Sequence, residues 1–304
     1  LKIDIFKTLI TTFILVLMTV IVSFVPGLMV ILTPLMLVPI VNLFIKSKNS
    51  YFVASAITVL FATLLLSTVS MVWITGLVLA GYLIGSLLNM RSSKERMLYV
   101  LTIFYSFYTL LAIIVFQMAN IIPKVDVWFK DVTTLYIKLL QEEVKKGNFK
   151  AENIELFKTA MDMFMLQVPG LIIFCMFLLS LVQLLITMPL LRTFKVSTPN
   201  FRPLYMWHIP KITMYLYFIA TIIKWGLTET DVVMLGIVTN LQYVLEWIIF
   251  IQGISLFHFF MKIRKTNIFM NICIFILAFL LPSVTQIFGM LDMIFNMKSR
   301  IKRK

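Results

Sequence analysis

The stretch VPGLIIFCMFLLSLVQLLITMPLL, residues 168–191, contains no charged side chain and stops at Arg192. As an α-helix rising ~1.5 Å per residue, it is long enough to cross the ~30 Å hydrocarbon core of a bilayer. Working outward, eight further apolar runs follow the same pattern: 6–23, 28–45, 51–69, 71–89, 97–117, 209–226, 232–261 and 268–297. Across all 304 residues, 61% are hydrophobic and 13% charged, with a mean hydropathy of +1.00. An ordinary soluble chain carries about 25% charged residues. The predicted fold class is therefore all-α, a polytopic helical membrane bundle of nine or ten helical pieces.

The net charge of +14 does not signal nucleic acid, because the Lys and Arg residues collect in short gaps between the runs. Lys46 and Lys48 follow the second run, and Arg91, Lys94 and Arg96 the fourth. Arg192, Lys195, Arg202 and Lys211 follow the sixth, and Lys262, Arg264 and Lys265 the eighth. The alternate gaps at Pro26 and Ser70 have none. With Lys2 and Lys7 beside the first run, the positive-inside rule predicts a cytoplasmic N-terminus in the cell membrane. The first run lacks a small-residue cleavage site, and the expectation is a retained span, not a signal peptide.

Nine single crossings would export the basic tail 298–304, with Lys298, Arg300, Lys302, Arg303 and Lys304. The last run holds Pro282, which removes a helix hydrogen bond. Two pieces hinged near Leu281-Pro282-Ser283 would return the tail to the cytoplasm; one tilted helix with an external tail is the alternative. Between the fifth and sixth runs, residues 119–167 form the main polar segment, extracytoplasmic by parity. Leu135, Leu139 and Leu140, then Leu156, Met161 and Phe164, recur at helical spacing around a break at Lys146-Gly147-Asn148. Two amphipathic helices capping the bundle mouth are expected within a single membrane domain, 1–304.

A charge at mid-span costs about 2.5–3.5 kcal/mol on insertion scales, so it faces a cavity or a partner. Thr239, Gln242 and Glu246 share one helical face in the eighth run, continued roughly by Gln252 and Gly253. They are the candidate ligand-binding residues. A structural carboxyl bonded to a neighbouring helix is the equal alternative, with Lys224 too near the outer end to pair directly. Gly289, Asp292, Asn296 and Arg300, with Thr285, make a second stripe, expected to anchor the tail.

The loop 192–211 cannot be one helix because of Pro199, Pro203 and Pro210. Its Arg192, Arg202, Trp207 and Pro210 suit an interfacial anchor on anionic lipid, or a partner contact. In the fourth run, Gly76 with Ala80 and Gly81 with Gly85 are small-xxx-small pairs for close helix packing.

Chemistry has little to stand on. Cys175 and Cys273 each lie inside an apolar run, and His208 and His258 are far apart, so no metal or cofactor is expected. There is no His-Glu-x-x-His pair, glycine-rich phosphate loop or Gly-x-Ser-x-Gly elbow, and no enzyme is predicted.

The segment from Phe201-Arg-Pro-Leu-Tyr-Met-Trp-His-Ile-Pro210, with Leu281-Pro282, Gly289-Met-Leu-Asp292 and the closing Arg300-Ile-Lys-Arg, resembles the YybS-like family of bacterial membrane proteins. That family is grouped with the substrate-binding S components of energy-coupling factor transporters. The resemblance implies a compact helical bundle that binds a small molecule and docks on a coupling module with two ATPases. It matches the family's terminal Gly, Asp and Arg to Gly289, Asp292 and Arg300, and its Trp-x-x-Pro to Trp207 and Pro210. Thr8 to Thr19 departs from the Ala-x-x-x-Ala docking surface of S components, having bulky residues there. The expected function is binding of a small polar solute for uptake. A membrane scaffold recruiting a protein partner and a lipid-handling protein are the rivals.

Overall fold

The computed structural model describes residues 3–146, 150, 152–228 and 231–301, and among these there is no strand. The helices are α1 (Ile5–Phe24), α2 (Met29–Lys46), α3 (Lys48–Leu65), α4 (Thr68–Asn89), α5 (Lys94–Met118) and α6 (Val125–Lys145). They continue with α7 (Glu152–Thr193), α8 (Ile212–Gly226), α9 (Val232–Arg264), α10 (Ile268–Leu280), α11 (Pro282–Phe295) and α12 (Met297–Ile301). Seven of them, α1 to α5, α7 and α9, are long and apolar enough to cross a membrane. The pair α10–α11 is a broken span or re-entrant loop, and α8 is a shorter apolar helix. These ten apolar pieces make a polytopic helical membrane protein.

Local chemistry sets the helix ends. Asp4, Ser47, Ser67 and Asn267 each accept a hydrogen bond from a backbone N–H in the first turn of α1, α3, α4 and α10. Left-handed residues other than glycine close several helices at their C-termini: Arg91 after α4, Lys195 after α7, Lys265 after α9 and Asn296 after α11.

The long polar insertion differs from its sequence reading. Its first half is α6. Its second half is not a separate helix but the start of α7, which runs 42 residues into the following span. Phe129 pairs with Phe164 and Tyr136 with Phe157, seven residues up one helix for seven down the other, so α6 and this part of α7 form an antiparallel hairpin. Leu135, Leu139 and Leu156 remain exposed. Of the expected break, Gly147 and Asn148 lie outside the described residues, as do Lys2, Lys302, Arg303 and Lys304.

The chain divides into two compact units, residues 1–115 with 175–201, and residues 116–174 with 202–304. In the first, α2 packs on α4 and α1 on α3, around Met36, Leu37, Ile40, Phe44, Ile74 and Leu77. A Cβ at Gly81 would come 2.3 Å from Ile40 Cγ2, and one at Gly85 2.2 Å from Phe44 Cδ1, so α4 presents bare backbone to two large side chains of α2. Gly76 faces the ring of Tyr108 in α5, and Ala80 is fully buried. In the second unit, α9 packs on α8 and α11, and α10 folds onto α11. The two helices of that last pair meet at 101°, with Pro282 opening α11. Proline cannot donate to the carbonyl four residues back. Thr285 Oγ1 donates to that carbonyl, Ala278 O, at 2.9 Å, and the turn keeps its polar groups satisfied inside apolar surroundings.

Candidate functional site

Helix α9 is the axis of the second unit, and two contacts without side chains bring α11 against it. A Cβ at Gly253 would lie 2.0 Å from Thr285 O, and one at Gly289 2.3 Å from Ile249 O. Backbones this close place Gln252 beside Asp292. Gln252 Nε2 donates to Asp292 Oδ2 at 2.5 Å, while Gln252 Oε1 accepts from Ile209 N at 3.0 Å. Asp292 Oδ1 accepts the backbone N–H of Lys298 at 3.2 Å, and Lys298 Nζ lies 3.5 Å from Oδ2.

The same ammonium donates to Ser255 Oγ at 2.6 Å and to Trp207 O at 2.8 Å. Ser255 Oγ donates to Leu204 O at 2.6 Å. Gln252, Ser255 and Asp292 are buried, and the network pins the 204–209 segment and the tail to α9. Burial holds the Lys298 ammonium below the ordinary lysine range, against the opposing pull of Asp292.

The second polar stripe is thus divided. Thr285, Gly289 and Asp292 are inside the unit, Asn296 is the left-handed cap of α11, and Arg300 is exposed. The cation that meets Asp292 is Lys298, not Arg300. In the loop, Trp207 turns its indole N–H to Arg202 O at 3.0 Å, and Arg202 and Pro210 are exposed. Arg192 belongs to the first unit. It donates from Nε to Thr198 Oγ1 at 2.7 Å and from its terminal nitrogen to Thr198 O, Pro199 O and Asn200 Oδ1.

The first stripe lies further up α9. Thr239 is buried, and Gln242 and Glu246 are half-buried. Tyr217 in α8 donates its hydroxyl to Glu246 Oε1 at a long 3.4 Å. Gln242 Oε1 is buried and accepts no hydrogen bond among the described residues. No ion pair joins Lys224 to Glu246 among them either. Next to this stripe, Trp247 stacks on Phe174 with ring centroids 3.9 Å apart. Met214, Ile249 and Met293 make an apolar cluster against which Tyr217 packs.

Sequence reasoning passed over three groups. Asn240, beside Thr239, accepts from Gly170 N at 2.6 Å and donates to Leu166 O at 2.7 Å, the two groups that an uninterrupted α7 would join to each other. Ser255 and Lys298 are the others. In the first unit, Gln183 is fully buried, and the buried hydroxyl of Tyr105 lies beside its amide. The signal for Asn240 and Gln183 was a lone amide in an apolar run, which carries no charge and no motif.

A chain built from ten apolar helical pieces is a multi-pass integral membrane protein. Residues 12–294 match the family described as "Predicted membrane protein (DUF2232)", and the chain belongs to that family. It is similar to the uncharacterized protein YybS of Bacillus subtilis (strain 168), 24% identical over 209 residues. That similarity covers 68% of this chain and 66% of the relative's length, just under two thirds. No solved structure matches the chain.

Proposed function

We propose that this chain is a membrane receptor for a small polar solute, in the manner of the S components of energy-coupling factor transporters, and that it performs no covalent chemistry. The observation that carries the reading is the pair of under-used acceptors on α9. Gln242 Oε1 is buried without a donor among the described residues, and the Glu246 carboxylate has one long bond from Tyr217. A buried acceptor left unmatched costs ~1–3 kcal/mol. A solute bearing N–H or O–H groups, or a positive charge, would remove that cost at both residues and lie against Tyr217. The basic gaps support, under the positive-inside rule, an orientation with both termini in the cytoplasm. A coupling module, if one docks, meets bulky residues on α1: Phe6, Leu9, Phe13 and Leu17 face outward while Thr8, Thr11, Leu15 and Thr19 face in.

The test is to identify small molecules that co-purify with the protein by native mass spectrometry, then to compare variants of equal yield. A solute retained by the wild type and lost from Glu246→Leu and Gln242→Leu supports the reading. Equal retention by all three removes it.

A further inference from the structure

The first unit contains a cavity of about 830 Å³, lined by residues from three of the basic gaps: Lys46 after α2, Arg91 and Ser92 after α4, and Lys195 to Pro199 after α7. None of Thr239, Gln242 and Glu246 lines it, so this cavity is independent of the proposed solute site. Among the described residues, three cations face the cavity and no carboxylate does. Its remaining wall is partly apolar, through Ile45, Leu88 and Phe194.

Two explanations compete for those cations. Lys46, Arg91 and Lys195 sit at C-terminal helix ends, where positive charge offsets the partial negative charge of unpaired carbonyls. Those carbonyls, however, already receive backbone N–H groups: Leu43 O from Ser47, Leu88 O from Arg91, Leu87 O from Ser92 and Leu191 O from Val196. The other nearby cations are engaged elsewhere. Lys94 lies over the Phe201 ring at 4.3 Å, Lys48 over the Phe44 ring at 5.6 Å, and Arg192 is bonded to the extended segment 198–200, of which Thr198 and Pro199 line the cavity. Thr198 Oγ1 donates to Met188 O at 3.2 Å and fixes the same segment.

Independently of the charges, Ser92 presents a ligand-seeking group. It is 7% exposed, lines the cavity, and its Oγ has no hydrogen-bond partner among the described residues. We infer that this cavity binds a phosphate ester of net negative charge, held by Arg91, Lys195 and Lys46 and hydrogen-bonded by Ser92. Phosphate takes several cationic donors and a hydroxyl at once. The apolar wall accommodates the carbon skeleton attached to it. A lipid headgroup and a soluble phosphate ester share this chemistry.

The full chain in nonionic detergent is incubated with dioleoylphosphatidylglycerol, dioleoylphosphatidylcholine or glycerol phosphate, and the bound fraction is read by native mass spectrometry. Phosphatidylglycerol should be retained over phosphatidylcholine, and the exposed double substitution Arg91→Gln/Lys195→Gln should weaken its retention by about tenfold. Lys262→Gln/Arg264→Gln, which removes equal charge after α9, should leave retention unchanged, and Ser92→Val should weaken it without any change in charge. Displacement of the lipid by glycerol phosphate assigns the site to soluble esters; no displacement assigns it to the headgroup. Equal retention of the two lipids together with no retention of glycerol phosphate, or equal loss in the cavity and control variants, overturns the inference.

Discussion

Gln252 and Asp292, forty positions apart in sequence, meet at 2.5 Å because Gly253 and Gly289 put no side chain of their own between two helix backbones. The carboxylate is almost fully buried, and what keeps it tolerable is the set of donors around it: one amide, one backbone N–H and one ammonium.

Asp292→Leu should destabilise the protein by about 3 kcal/mol, since it leaves the Lys298 ammonium and the Gln252 amide without their acceptor. Lys298→Met alone strands the carboxylate. The double substitution should cost less than the sum of the two, and thermal denaturation in detergent measures the difference. Strict additivity would mean that Asp292 and Lys298 do not interact in the folded protein.

Gly253→Ala should cost about 1–3 kcal/mol, because its methyl would sit 2.0 Å from a backbone carbonyl and α11 would have to back away. Gly236→Ala in the same helix meets nothing within 4 Å, and the expectation there is a gain of up to ~1 kcal/mol from helix propensity. Melting temperatures of the two variants, compared side by side, should move in opposite directions.

Asn240→Leu should cost about 1–3 kcal/mol by unpairing Gly170 N–H and Leu166 O. Hydrogen exchange localises the effect. Amides near Gly170 should lose protection, while those near Ser180, further along α7, should keep theirs.

Lys298 gives a dependence on pH. Because burial depresses its folded pKa below the reference value of 10.5, the unfolded chain binds more protons in the interval just under 10.5. Stability from this group therefore rises with pH through that interval. The wild-type melting temperature should carry an upward component there that Lys298→Met lacks.

The membrane helices were legible because hydrocarbon imposes a length and a composition on each. The 232–261 run became Val232–Arg264, and the proline at 282 opens a new helix as its missing N–H requires. The beginning of α8 was not legible. Residue 209 reads as apolar, but its N–H is taken by Gln252, and the helix starts at Ile212. Nor was the continuity of α7 from the polar insertion into the span, where Asn240, seventy residues after Gly170, bonds both Gly170 N–H and Leu166 O. The ends of α4, α7 and α9 fall within three residues of the run ends at 89, 191 and 261, but the left-handed conformation of Arg91, Lys195 and Lys265 was hidden, because such caps usually advertise themselves as glycine. Of the polar stripes, spacing found the face but not its partners. Which cation meets Asp292 depends on the left-handed turn at Asn296, which brings Lys298 back to it and leaves Arg300 outside.

Helix α7 is about 63 Å long, whereas a bilayer with its headgroups spans ~40–45 Å. Its polar first turns therefore stand clear of the lipid as a rod, stiffened by α6 zipped along them, and not as a tether. Anything that grips this rod near Glu152 is mechanically coupled to the crossing at Gly170, where Asn240 holds it. Through that hold the rod meets the helix that carries Gln242 and Glu246.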